Sequence, residues 1–519
     1  MRRFAFAAFT AMLLAGCAGA PIRAPQTPTS AATSDVANVV APRAAQSLLA
    51  SNIDLLLAQP RFAHASWGID VVSLDSGKTL YARNADTLFL PASNAKLYTA
   101  TLALQTLGAD ASFSTTLYAT TTPRINGTLS GDLILYGRGD PSLGEADVSP
   151  DWADRLAQAL SERGVRRVRG NLIADDTYFS GPLIGDGWEA LDLQDDYGAQ
   201  AGALGAQDGV VRVTVARNGT RCCAVTVDPP QSGLRVINLT GASAPLSLYR
   251  PPGSDVLYAS GSLPANQPQH DYNLSVPDAA LFAANLLRDA LARHGIALSG
   301  NVRVVHWPER DAAFAKAPLE VASISSPPLS QLLRHMLKTS DNRYAQMLLQ
   351  QVGLQAARGE MCADREEPPQ TSADWGLCGT RAFLTRIGIG NDEAMFDEGS
   401  GLSRRDLVTP AATVKLLAWL ARQPFANVLR DALPLAGVDG TLKSRMLGTT
   451  AAGNLQAKTG TLTHAYALSG YVTDARGEHL AFSLMLNRYQ RPTDALGNAV
   501  PPSPQDDLDA VAEMIVESH

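Results

Sequence analysis

The pattern of apolar residues changes twice along this chain of 519 residues. Up to about residue 115, and again after about 317, stretches with helical periodicity accompany a few alternating strands. Between them, short β-type runs dominate and are separated by Gly and Pro, with helical stretches at 152–163 and 278–293. The pattern therefore predicts one domain of helices and strands that is interrupted by a long β-rich insertion.

The composition excludes several classes of protein. Hydrophobic residues make up 45% of the chain and charged residues 18%, so the chain can build folded cores and is not intrinsically disordered. A net charge of −7 argues against nucleic acid or an anionic membrane surface as a partner. Of 43 basic residues only seven are Lys. Each Lys is therefore a candidate for a role that Arg cannot take, such as losing a proton near neutral pH.

The N-terminus predicts export. Residues 1–17 combine a basic start, an apolar stretch and the sequence Leu14-Ala15-Gly16-Cys17, which is similar to a bacterial lipobox. In such a signal Cys17 is lipidated, and a following residue other than Asp implies the outer membrane in a Gram-negative source. The alternative is an ordinary signal peptide with a chance Cys. Residues 18–42, rich in Ala, Pro, Thr and Ser, are expected to be a flexible tether.

Four further cysteines suit an oxidising compartment. Cys362 and Cys378 flank a polar stretch and are candidates for a disulfide, worth roughly 3 kcal/mol from loop entropy. Cys222 and Cys223 are adjacent, so a strained vicinal bridge and two buried thiols both remain open. No His lies at ligand spacing from a Cys, and we expect neither a metal nor a cofactor.

Three short motifs hold the candidate chemistry. Ser93 and Lys96 share one face at the start of a predicted helix, where free N–H groups and the dipole favour a developing negative charge. Ser340-Asp341-Asn342 lies between two predicted helices. Lys458 and Gly460 alternate onto one face of a predicted strand, and Gly460 permits close approach of another backbone. Taken singly, each motif is equally typical of a helix cap or a strand with a turn.

Taken together and in this order, the motifs resemble the penicillin-recognising serine acyl transferases. The long, β-rich interval between Ser93 and Ser340 is similar to the low-molecular-mass class C penicillin-binding proteins, the penicillin-binding protein 4 type of D-alanyl-D-alanine carboxypeptidase/endopeptidase. Flanking stretches agree, among them Gly399-Ser400-Gly401-Leu402, although Glu398 interrupts the usual Asp-Gly-Ser-Gly. The resemblance covers the chain from about 45 to 519.

The resemblance implies an α/β (α+β) fold: a serine β-lactamase/DD-transpeptidase-like domain with an antiparallel sheet between helices, plus inserted β-rich domains. The expected division is domain I at 43–117 and 317–519, domain II at 118–142 and 210–316, and a nested domain III at 143–209.

The same resemblance implies the roles of the site residues. Ser93 attacks the D-Ala-D-Ala carbonyl, neutral Lys96 acts as its base, and Ser340 relays the proton to the leaving amine. The remaining residues are expected to bind substrate: Asn342 the peptide amide, Lys458 and Thr459 the terminal carboxylate, the N–H groups of Ser93 and Thr461 the oxyanion, and Asp192, Tyr197 and Arg404 the peptide stem. Asp195 or Asp196 could instead be the matching acid.

The expected substrates are peptidoglycan stem peptides, and the expected covalent inhibitors are β-lactams. The protein is expected to be exported to the periplasm and attached to a membrane by its lipid anchor. Two alternatives remain: a β-lactamase or esterase on the same scaffold, and a non-catalytic lipoprotein that binds murein or β-lactams. The intact motif residues speak against the second. Release of D-Ala from a stem pentapeptide separates it from an enzyme.

Overall fold

A computed structural model describes residues 47–518, apart from 219–220, 311–317, 360–361, 363–366 and 495. The predicted signal, Cys17 and the tether at 18–42 lie outside the described residues. In the part that is described, no helix is long and apolar enough to cross a membrane.

The helices of the described residues are α1 (Leu48–Leu57), α2 (Ala95–Leu107), α3 (Trp152–Glu162), α4 (Ala279–Arg293), α5 (Leu329–Thr339), α6 (Asn342–Arg358), α7 (Ser372–Arg386), α8 (Pro410–Leu420), α9 (Ala426–Ala432) and α10 (Pro504–Val516). The strands are β1 (Ser66–Ser73), β2 (Thr79–Arg83), β3 (Ser114–Ala119), β4 (Thr128–Leu129), β5 (Leu133–Gly137), β6 (Arg167–Val168), β7 (Leu172–Asp175), β8 (Val210–Asn218), β9 (Arg221–Asp228), β10 (Arg235–Pro245), β11 (Ser247–Tyr249), β12 (Val256–Ser262), β13 (Gln269–Ser275), β14 (Ala297–Leu298), β15 (Val302–Val305), β16 (Leu319–Ser325), β17 (Ala394–Met395), β18 (Leu407–Val408), β19 (Gln456–Leu462), β20 (Ala465–Thr473) and β21 (His479–Asn487).

A five-stranded antiparallel sheet in the order β19-β20-β21-β1-β2 forms the centre of the first domain. Both of its faces are buried, because alternate residues of β21 enter two different cores. Ala481 and Met485 pack against α2, α5, α6, α8 and α9. Phe482 and Leu484 pack against α1 and α10. This arrangement is the predicted antiparallel sheet between helices.

A second five-stranded sheet, in the order β15-β7-β5-β3-β16, belongs to the insertion. Its strands β5, β7 and β15 are parallel, whereas β3 is antiparallel to both β5 and β16. Helices α3 and α4 cover it with an apolar core. Strand β7 comes from the segment 143–209, which is predicted to be a nested domain. It nevertheless belongs to this sheet, because it pairs with β5, which precedes the segment in the chain, and with β15, which follows it.

Two three-stranded sheets, β9-β8-β13 and β10-β12-β11, occupy residues 210–275. They pack face to face through Val213, Leu257 and Leu274. Strands β8 to β13, which form sheets separate from the two five-stranded sheets, thus follow the predicted nested segment 143–209 in the chain. Cys222 and Cys223, on β9, are joined by a vicinal disulfide, which is one of the two arrangements left open by the sequence.

Candidate active site

The three motifs, far apart in sequence, meet at one place beside the central sheet. Ser93 lies in a 3₁₀ turn (Ala92–Asn94) that leads directly into α2. Ser340 ends α5 in the left-handed conformation (φ 68°), and Asp341 then caps α6 by accepting a hydrogen bond from the Tyr344 N–H. Lys458 lies on β19, an edge strand of the central sheet that contacts the 3₁₀ turn bearing Ser93.

Lys96 contacts three oxygen atoms. Its Nζ lies 2.9 Å from Ser93 Oγ, 2.6 Å from Asn342 Oδ1 and 2.8 Å from the Ser400 carbonyl oxygen. The Lys96 side chain is fully buried, whereas Ser93 is partly exposed. The nucleophile candidate is therefore open to solvent and its neighbouring amine is not.

Burial is the main electrostatic influence on Lys96. It lowers the pKa of the amine from 10.5 to about 8, although Glu398 and Asp341 oppose the shift because their negative charge favours the ammonium form. The site thereby brings a Lys pKa close to neutral pH, which is the property a general base requires.

Lys458 forms a second pair with Ser340. Its Nζ lies 2.9 Å from Ser340 Oγ and 2.8 Å from the Thr459 carbonyl oxygen, and the side chain is fully buried. Burial lowers the pKa of Lys458 well below its usual range, and the nearby positive charge of Lys96 lowers it further. Each Lys–Ser pair of the site is thus joined by a direct hydrogen bond.

Gly460 allows the strand to approach the nucleophile turn. A Cβ atom at this position would lie 2.6 Å from the Pro91 carbonyl oxygen and 3.1 Å from Ala92 Cβ. Real Cβ contacts are never that short, so a side chain here would displace the turn that presents Ser93. Thr459 is buried and its hydroxyl lies 2.8 Å from that of Thr441, whereas Thr461 is exposed.

The residues predicted to contact the peptide stem differ in their hydrogen-bond partners. The Tyr197 hydroxyl lies 3.2 Å from Asp192 Oδ1 and 3.1 Å from Asp195 Oδ2, and the Tyr197 carbonyl accepts a 2.9 Å hydrogen bond from Asn342 Nδ2. The Asp192–Tyr197 segment therefore reaches the motif residues. Arg404 instead pairs with Glu189 at 2.7 Å. Glu189 was not anticipated from the sequence, because no motif marks it.

A loop at 397–403, between β17 and β18, contributes further residues that the sequence did not assign. Its Ser400 carbonyl contacts Lys96, and its Glu398 side chain is buried. In the sequence, this loop could have been noticed only because Glu398 interrupts the usual Asp-Gly-Ser-Gly. The nearby Cys362 and Cys378 are joined by a disulfide, with Cα atoms 6.5 Å apart. Among the described residues no cluster of side chains suited to a metal ion is found.

Together, the fold and the two Lys–Ser pairs define a serine acyl transferase with a transpeptidase-like domain. The D-Ala-D-Ala carboxypeptidase 3 (S13) family matches residues 49–513, and the chain belongs to this family. A D-alanyl-D-alanine carboxypeptidase from an Actinomadura species is 35% identical over 467 residues, covering 86% of this chain and 82% of the relative.

Solved structures agree in fold. Penicillin-binding protein 4 (DacB) from Haemophilus influenzae superposes with a TM-score of 0.77 at 25% identity, covering 90% of this chain and 99% of that one. The same protein in complex with a novel β-lactam gives a TM-score of 0.70 at 24% identity, covering 89% and 98%.

The family and its relatives confirm the predicted fold and the predicted function of a serine D-Ala-D-Ala carboxypeptidase.

Proposed function

We propose that Ser93 is the nucleophile of this enzyme and that Lys96 is its general base. The observation that carries the proposal is the 2.9 Å contact between Lys96 Nζ and Ser93 Oγ in a buried setting. A neutral amine has two N–H bonds and one lone pair. Asn342 Oδ1 and the Ser400 carbonyl accept the two N–H bonds, which leaves the lone pair for the Ser93 hydroxyl proton.

The second pair serves the leaving group. As Ser93 Oγ bonds to the carbonyl carbon, its proton passes to Lys96. The C–N bond then breaks as Ser340 gives its hydroxyl proton to the departing amine and takes up the proton that Lys96 received, which returns Lys96 to the neutral form. The hydrogen bond from Lys458 holds the Ser340 hydroxyl in place for this relay. Water subsequently hydrolyses the Ser93 ester and regenerates the hydroxyl.

Substrate binding is assigned to the groups around the two pairs. The amine of Lys458 and the hydroxyl of Thr459 bind the terminal carboxylate through hydrogen bonds. The N–H groups of Ser93 and Thr461 stabilise the oxyanion. Asn342, whose side chain joins Lys96 to the Tyr197 carbonyl, is assigned to the peptide amide.

Recognition of the stem side chain is assigned to Asp192, Tyr197 and Arg404. The two carboxylates that meet the Tyr197 hydroxyl suit an ammonium group. The Arg404 guanidinium suits a carboxylate, and it already pairs with that of Glu189. A zwitterionic side chain on the stem peptide would satisfy both.

The site of action is proposed from the N-terminal sequence alone. We propose export to the periplasm and attachment through a lipidated Cys17, at the outer membrane of a Gram-negative source. Incorporation of a labelled fatty acid that is lost in Cys17→Ala tests the anchor.

Labelling with fluorescent penicillin tests the assignment of Ser93. Wild-type protein is expected to form a stable covalent adduct and to release D-Ala from a stem pentapeptide, whereas Ser93→Ala should do neither. Ser51→Ala, which changes an exposed Ser on α1, is the matched control. Labelling of Ser93→Ala would refute the assignment. Rapid loss of the wild-type label without D-Ala release would favour a β-lactamase.

A further inference from the structure

Glu398 is buried in the 397–403 loop and binds the backbone of that same loop. Its carboxylate accepts hydrogen bonds from the N–H groups of Ser400 at 2.6 Å, Leu402 at 3.0 Å and Ser403 at 3.4 Å, and also from Gly401. The Glu398 side chain is 1% exposed. One carboxylate therefore organises four consecutive N–H groups and fixes the orientation of the intervening peptides.

The loop is pinned to the elements that bear the catalytic motifs. The Gly399 carbonyl accepts a 2.7 Å hydrogen bond from Thr99 on α2, and the Gly399 N–H donates to Gln346 on α6 at 3.0 Å. Gly401 has φ +83° and packs so closely on the nucleophile turn that an added Cβ would lie 1.9 Å from the Ala92 carbonyl oxygen. Movement of the loop would therefore displace Ser93 and Lys96.

Asp406 lies next to Glu398. It is fully buried, and its Oδ1 accepts a 2.8 Å hydrogen bond from the Asp397 N–H. Its Oδ2 is buried without a conventional donor, and the side chain meets that of Glu398. Two carboxylates cannot hydrogen-bond unless one of them carries a proton. A proton on Asp406 Oδ2, donated to Glu398, would give this buried oxygen a partner.

We propose that Glu398 is a positioning residue for Lys96: it fixes the Ser400 carbonyl that accepts a hydrogen bond from Lys96 Nζ, and protonated Asp406 holds Glu398 in place. This inference rests on the proposed role of Lys96 as the base. Without a fixed Ser400 carbonyl, the amine would lose one of the two acceptors that direct its lone pair toward Ser93.

The charged groups around Lys96 set a second, independent expectation. Glu398 and Asp341 face it from the loop and from the N-cap of α6, and the negative charge of each raises the pKa of the amine. Asp406, directly before β18, adds no charge when it is protonated. Lys458 faces Lys96 from β19, where burial and the charge of Lys96 lower the pKa of Lys458 itself. Since Glu398 has the largest influence of these acidic residues, removing its charge should lower the pKa of Lys96.

The test is acylation by fluorescent penicillin, measured as a second-order rate constant from pH 5.5 to 9.5. Glu398→Gln is expected to lower the maximal rate constant by about 100-fold and to shift the acidic limb of the profile to lower pH. A purely structural role would lower the rate without that shift. The matched control is Glu393→Gln, which also removes a carboxylate that binds a loop N–H but lies at Lys415, away from the site.

A second pair of variants decides the matter if Glu398→Gln does not fold. Asp406→Ala removes the donor to Glu398 and should lower the rate constant about tenfold. Asp406→Asn, whose amide can donate as the protonated acid does, should restore most of that loss.

An unchanged rate and acidic limb in Glu398→Gln, or equal rates in the two Asp406 variants, would overturn the proposal. These results would leave the function of Ser93 intact. Labelling of Ser93→Ala, in contrast, would overturn that function itself.

Discussion

Lys458 on β19 donates a hydrogen bond of 2.9 Å to the hydroxyl of Ser340, which lies in the turn between α5 and α6. The two residues are 118 positions apart in the chain. Ser340 adopts the left-handed conformation, and the preceding Lys338 anchors the end of α5 to Asp439 at 2.6 Å. The central sheet and the helices α5 and α6 therefore meet at the Ser340 hydroxyl. Because this hydroxyl is held by Lys458, it is suited to relay a proton.

Ser340→Ala is expected to slow D-Ala release by about 100-fold, because the leaving amine loses its proton relay and buried Lys458 loses an acceptor. Single-turnover release from a stem pentapeptide measures the effect. Ser330→Ala, which changes a Ser at the other end of α5, is the control and should retain the wild-type rate. Equal rates for both variants would remove Ser340 from the mechanism.

The rate of acylation by penicillin should depend on pH through Lys96. Its pKa is lowered to about 8, and only the neutral amine can accept the Ser93 proton. The rate constant is therefore expected to rise about tenfold per pH unit below pH 8 and to level off above it. Stopped-flow or quenched labelling across pH 5.5–9.5 measures the profile. A flat profile between pH 6 and 9 would show that Lys96 is not the base.

Gly460→Ala is expected to impair the site through the nucleophile turn. Its Cβ atom would lie 2.6 Å from the Pro91 carbonyl oxygen, so the strand or the turn must move. We expect a loss of about 1–3 kcal/mol in unfolding free energy and a larger proportional loss in acylation. Gly359→Ala, where the nearest atom would be 3.7 Å away, is the matched control. Wild-type acylation in Gly460→Ala would contradict the close approach.

The sequence could predict the residues of the motifs, because their types and spacing are local properties. It also located α3 and α4, at 152–163 and 278–293, since helical periodicity is a local property too. Strand membership was harder. The strand β7 joins β5 and β15 by long-range pairing, and nothing within residues 143–209 specifies these partners.

The same limit applies within the site. Glu398 was visible as a departure from the usual pattern, but its four backbone N–H partners depend on the path of the folded loop. Glu189 contacts Arg404 across 215 positions. Such ion pairs between distant loops leave no periodic or compositional signal in the sequence. The partner of Arg404 could therefore be identified only from the structure.

Arg404 and Glu189 should have opposite effects on peptide substrates. Arg404→Ala removes the proposed partner of a stem carboxylate, so KM for a zwitterionic stem peptide should rise about tenfold. Glu189→Gln frees the guanidinium and should lower KM by about 2–5-fold, a small effect because this ion pair is exposed. Steady-state D-Ala release measures both. Parallel changes in the two variants would contradict competition for Arg404.

Asp406 should make the stability of the protein depend on pH. Burial, and then the charge of Glu398, raise the pKa of Asp406 well above its ordinary value of 3.8. Above pH 4 the folded state therefore keeps a proton that the unfolded state releases, so this group's contribution to stability falls as the pH rises. Asp406→Asn mimics the protonated acid but does not titrate. It should unfold at the same urea concentration as wild type near pH 4 and at a higher urea concentration than wild type at pH 7. Asp151→Asn, an exposed control, should show no such trend. Lower stability of Asp406→Asn at pH 7 would show that the folded protein requires a charged Asp406 and that the buried pair does not share a proton.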